Sequence, residues 1–185
     1  MKTRIFLIFG LLATCWLGMM LVHECGHMLA AVCTGGTVVR LEWPVWGFSR
    51  TDVGSNPHPL AVAWAGPVFG SVMPALLALA LRVMRLRSVV AEIFSGFCLL
   101  ANGAYLSAGS LGRIGDTADI LKHGGPLWTL WAMGLPLAAA GLLQGHTLGS
   151  KLGVARVGKS EAYVTGFLGT TLVLGSLLWQ ILGPR

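Results

Sequence analysis

The chain has 185 residues, of which 55% are hydrophobic and only 11% charged, with a formal net charge of +6. A mean hydropathy of +0.74 excludes an ordinary soluble domain of this length. The thirteen Lys and Arg lie singly or in small groups between apolar runs, which points to lipid headgroups and topology rather than to nucleic acid.

Met1 to Arg4 carries two positive charges, and an uncharged run from Ile5 to Val22 follows. With its continuation to Val32 it is long enough to cross about 30 Å of hydrocarbon. A signal peptide is the competing reading, with Leu12-Ala13-Thr14-Cys15 as a loose lipoprotein-type site. Cleavage there would cut into the apolar helix that bears the next motif.

That motif is His23-Glu24-Cys25-Gly26-His27, an H-E-x-x-H. On a helix the two histidines are about 400° apart, so they sit about 40° from one another, and Glu24 falls about 60° from His27. All three share one face. Two imidazoles so placed can bind one Zn²⁺, while the carboxylate stays off the metal and accepts a proton from zinc-bound water. The bland reading is a pair of helix histidines bonded to backbone or water. Ionisable groups at membrane depth are expensive, and that favours function. The four cysteines, Cys15, Cys25, Cys33 and Cys98, form no C-x-x-C pair and read as small hydrophobes rather than a disulfide framework.

Thr34-Gly35-Gly36 ends the first span. Residues 37–51 then place β-branched and aromatic residues in near alternation, with Pro44 and Gly47 as turn candidates. This predicts a short β hairpin or re-entrant element, whose free edge could accept an extended substrate as an added strand. An interfacial loop anchored by Trp43 and Trp46 is the alternative. A polar connector covers 52–59, with His58 as a loop residue. The second span covers about 60–81 and is broken by Pro67 and Pro74. Gly66 and Gly70 offer it a small-residue contact face. Arg82, Arg85 and Arg87 form a basic loop.

A third span covers about 93–111 and contains Asn102. Residues 113–124 then hold Asp116 and Asp119, two of only three aspartates. Either could start a short helix as cap or first-turn acid, and either could complete a His₂ zinc site. His123 is a weaker candidate. Residues 126–185 read as two additional transmembrane helices, about 126–150 and 162–184. Gly141, Gly145 and Gly149 suggest a packing face, His146 an interfacial residue, and Lys151, Arg156 and Lys159 a basic loop. The fold class predicted is an all-α polytopic membrane protein with about five transmembrane helices and the β element after the first.

In order, H-E-x-x-H at the end of a membrane helix, Gly35-Gly36, a Val/Trp-rich β stretch, Ala65-Gly66-Pro67 and a late Gly115-Asp116 resemble the site-2 protease family of intramembrane zinc metalloproteases. The resemblance covers about residues 15 to 121. It implies a catalytic core within residues 1–125, Zn²⁺ held by His23, His27 and the aspartate matching the family's L-D-G, here Asp116, and Glu24 as general base. It also implies hydrolysis of peptide bonds in membrane-embedded substrates, in a multi-pass protein of a bacterial-type cell membrane. Two departures stand out. The family's A-G-P-x-x-N ends here in Gly70, and its N-x-x-P-x-x-x-L-D-G is matched only loosely, with Asn102 as substrate-binding candidate. These departures motivate the rival reading, a proteolytically inactive relative that binds a membrane partner.

Overall fold

The computed structural model describes residues 2–86, 88–151 and 157–183. Arg87, Arg156 and Pro184, placed above in basic loops and the last span, lie outside the described residues. Among the described residues, five helices are long and apolar enough to cross a membrane: Lys2–Cys33, Pro59–Val83, Val89–Gly112, Leu127–Gly149 and Lys159–Leu182. The first is continuous, formed by α1 (Lys2–Ala13), one π-helical turn (Thr14–Gly18) and α2 (Met19–Cys33). Then come strands β1 (Val38–Glu42) and β2 (Arg50–Val53), α3 (Pro59–Val83), α4 (Val89–Gly112), the short α5 (Gly115–Lys122), α6 (Leu127–Lys151) and α7 (Lys159–Leu182). Segments 52–59 and 88–92 are more regular than expected. Asp52 and Val53 continue β2, and Ser88 caps α4 early by accepting a hydrogen bond from the Ala91 N–H.

Small residues decide which helices meet. A Cβ at Gly26 of α2 would overlap the Ala65 carbonyl and lie 2.7 Å from Phe69 Cβ, so α2 and α3 touch nearly backbone to backbone. A Cβ at Gly10 would lie 2.6 Å from Gly166 Cα, which sets α1 against α7. A Cβ at Gly134 of α6 would fall 2.8 Å from the Gly103 carbonyl oxygen of α4. The glycine face expected along α6 is correct only in part. Gly141 packs on Leu100, but Gly145 and Gly149 have nothing within 4 Å because the helices diverge there. Ala63, Leu106, Ile120 and Leu130 form the buried cluster that binds α3, α4, α5 and α6 together.

Helix α2 ends where predicted. Gly35 takes φ +83°, a conformation that a side chain disfavours, and Gly36 N–H returns to the Ala31 carbonyl at 2.8 Å. Asn56 reinforces this end, its Nδ2 donating to Ala31 O and its Oδ1 accepting from Thr34 Oγ1. The chain between them is an antiparallel hairpin with Arg40 opposite Asp52, Leu41 opposite Thr51 and Glu42 opposite Arg50. Its outer face is charged and laced by Arg40–Glu42 and Arg50–Asp52 ion pairs. Strand alternation turns Leu41, Ser49 and Thr51 to the opposite face, where they are half-buried. Trp43 is buried and its indole N–H donates to the Leu17 carbonyl, so it belongs to the core rather than to an interfacial anchor. Trp46 is 90% exposed.

Candidate metal centre

Two segments converge on one point. Helix α2 brings His23 and His27, both buried, on the shared face that their spacing demands. Helix α5 brings Asp116. Its position is set by a left-handed Arg113, an extended Ile114 and Gly115 at φ +50°, followed by the Asp116 N–H donating to the Tyr105 hydroxyl at 2.9 Å. Gly115 is required twice, since a Cβ there would also overlap that hydroxyl. Asp116 is not the helix cap. Ile114 occupies the cap position, and the Asp116 side chain turns to the histidines instead.

His23 Nε2 lies 2.8 Å from Asp116 Oδ2, His27 Nε2 lies 3.2 Å from Asp116 Oδ1, and the two Nε2 atoms are 3.2 Å apart. Neighbouring ligands on a tetrahedral zinc, at about 2.0 to 2.2 Å from the metal, are about 3.3 Å apart. The two 3.2 Å separations match that spacing, while the 2.8 Å between His23 Nε2 and Asp116 Oδ2 is shorter, so an ion placed among the three would spread that pair.

The other ring nitrogens explain why these lone pairs face each other. His27 Nδ1 is 2.8 Å from the Val62 carbonyl, which can only accept, so Nδ1 carries the proton. Asn102 Nδ2 donates to the Cys98 carbonyl, which leaves Asn102 Oδ1 to accept from His23 Nδ1 at 2.8 Å. In the neutral rings both Nε2 atoms are then bare acceptors directed at each other and at a carboxylate. Such an arrangement repels itself unless a cation, either protons or a metal, lies among the three groups. A hydrogen bond from the far ring nitrogen to a carbonyl or amide oxygen is the usual means of fixing a metal-binding imidazole. Burial acts to raise the Asp116 pKa, but hydrogen bonds from His23 and His27 outweigh it and hold the carboxyl well below the usual carboxylate range.

Gly66 makes the space. A Cβ there would overlap His27 Nε2 and lie 2.7 Å from His23 Nε2. The small residues Gly66 and Gly70 thus admit side chains of the site rather than a neighbouring backbone. At Gly70 a Cβ would meet the Asn102 amide at 3.0 Å, so Asn102 fills the place that a larger side chain at 70 would claim. Asn102 is 2% exposed and both ends of its amide are used within the protein. The structure places it behind His23.

Glu24 is 3% exposed and lies outside the group formed by His23, His27 and Asp116. Its two carboxylate oxygens accept from Ser49 Oγ and Thr51 Oγ1, each at 2.6 Å. Neither hydroxyl was singled out from the sequence, although the alternation Ser49-Arg50-Thr51-Asp52 carries the signal, with small hydroxyls at every second position between charges. Tyr105 was likewise missed. Asp119 and His123 are exposed and outside the group, His58 lies beside His123 at the rim of α3, and His146 is exposed on α6. All four cysteines are free.

No family model matches the chain, and no curated protein or solved structure matches it significantly. Any functional reading therefore rests on the geometry of this site.

Proposed function

We propose that this protein is an intramembrane zinc metalloendopeptidase, a multi-pass protein of a bacterial-type cell membrane related to the site-2 proteases. The observation that carries the reading is the convergence of His23 Nε2, His27 Nε2 and the Asp116 carboxylate at 2.8 to 3.2 Å, beside a buried glutamate that is not one of the three. Five candidate spans, three of which contribute residues in or against this site, support the membrane setting.

In this reading His23, His27 and Asp116 hold the ion. Bound Zn²⁺ would supply a Lewis acid that acidifies water and polarises the scissile carbonyl. Asn102 and the Val62 carbonyl keep the imidazoles in the ligating tautomer. Glu24 takes the proton from the attacking water and passes it to the leaving nitrogen. His23, His27 and Glu24 are buried, and the Asp116 side chain retains 15% exposure. A substrate segment must unwind before its backbone can be cut. The hairpin, whose strands pair only with each other, offers it an edge to pair with.

The test is cleavage of a reporter membrane segment by purified protein of known zinc content. Glu24→Gln is expected to keep one zinc per chain and to lose cleavage by about 10²-fold or more. Unchanged cleavage in that variant sinks the assignment.

One observation favours a second reading, a proteolytically inactive protein that binds a membrane partner. Gly70 offers no amide, and that of Asn102 is consumed inside the protein, so neither is free to orient a substrate. Stoichiometric zinc with no turnover across a panel of membrane peptides would select it.

A further inference from the structure

A glutamate next to two metal-binding histidines has two possible fates. It can bind the metal as a further ligand, or it can stay off and act as a base. A short reach separates them, because Glu24 is covalently adjacent to His23 and lies on the same helix face as His27. What holds it off is on the hairpin. Thr51 lies on β2 and Ser49 immediately precedes it, two residues away, and each hydroxyl meets a different oxygen of the Glu24 carboxylate at 2.6 Å. That distance is typical of a hydroxyl donating to an ionised carboxylate. Glu24 is thereby gripped at both oxygens, and none of its acceptor atoms joins the cluster of His23, His27 and Asp116.

The hairpin is tied to the helices around it. Trp43 Nε1 donates to Leu17 O, Trp16 Nε1 to Val45 O, and Ser176 Oγ to Trp43 O. Three anchors therefore fix the segment that leads into Ser49.

We propose that Ser49 and Thr51 are positioning residues that keep Glu24 out of the metal's coordination shell and so preserve it as a base. The role rests on the zinc-site reading above. The hydroxyls act on the carboxylate alone, leaving the three ligands and their second-shell partners untouched. Removing both frees Glu24 to swing onto the metal, which then gains a ligand and loses its open position.

The experiment uses the full chain in detergent, loaded with Co²⁺, whose visible absorption reports coordination number. The variants are Ser49→Ala with Thr51→Val, the same pair in a Glu24→Gln background, and Thr51→Ser. Thr51→Val alone keeps volume and shape, and carries the test if the pair fails to fold. The expected result has four parts. The double variant binds one Co²⁺, its visible band weakens severalfold relative to wild type, Glu24→Gln restores the wild-type band, and Thr51→Ser resembles wild type throughout. Where cleavage is measurable, kcat falls about 10²-fold with KM unchanged.

A double variant with the wild-type spectrum and wild-type kcat overturns the proposal. A purely structural role for the hydroxyls predicts that result together with a lowered unfolding temperature. If the spectra behave as expected while wild type cleaves no membrane segment, the positioning role stands and the protease reading falls. If wild type takes up no Co²⁺, both fall together.

Discussion

His23 Nδ1 and Asn102 Oδ1 lie 2.8 Å apart across helices α2 and α4, and this one bond decides which nitrogen of His23 faces the centre. Asn102→Leu keeps bulk but removes the acceptor, leaving a buried N–H unpaired and the tautomer unfixed. Zinc affinity in this variant is expected to fall by about 10 to 100-fold. Competition with a chromophoric chelator measures it.

The two aspartates of α5 separate cleanly. Asp116 contacts both histidines, whereas Asp119 is exposed and outside their group. Asp116→Ala is expected to lose bound zinc on purification, and Asp119→Ala to retain one per chain. Metal analysis of the two proteins side by side is sufficient, and zinc retained in Asp116→Ala would refute the ligand assignment.

Gly66 is a steric requirement of the site rather than of helix contact. A methyl group there overlaps His27 Nε2. Gly66→Ala should abolish zinc binding, while Gly145→Ala, whose surroundings are open, should leave it intact. Both variants are checked by metal content and by the unfolding temperature of the metal-free protein.

Acid should weaken the metal-free protein through Asp116. Its carboxyl is depressed in the folded state by the histidines, so its contribution is present above the unfolded value of about 3.9 and is lost as pH falls towards the folded value. Unfolding temperatures of metal-free wild type should therefore drop below about pH 4. Asp116→Asn should lack that component. Parallel curves for the two proteins would count against the ion pairs.

Much of this was legible because helices repeat locally. The 400° between His23 and His27 requires no tertiary knowledge, and long uncharged runs announce the five candidate spans. Asp116 could be narrowed to one of two, since carboxylates are scarce in this chain. Ser49 and Thr51 left only an alternation in the sequence, which does not say where the hydroxyls point. Which face of a short strand turns inward depends on register, and here a bulge between Val38 and Arg40 intervenes. The bond from Asn102 to His23 was not legible because the two residues lie 79 positions apart and only packing brings them together. Sequence left Trp43 open between a packed hairpin and an interfacial anchor, and the approach of Leu17 and Ser176 makes it core.

Three of the chain's seven tryptophans are joined to the hairpin through their indole N–H or their own backbone: Trp16 to Val45, Trp43 to Leu17 and Ser176, and Trp179 to Leu41. Trp46, at the tip of the same hairpin, is exposed. The molecule therefore carries its own optical gauge. These indoles gather at the loop end of the hairpin, so a displacement of the segment that grips Glu24 is expected to disturb them and to register in intrinsic fluorescence without a label.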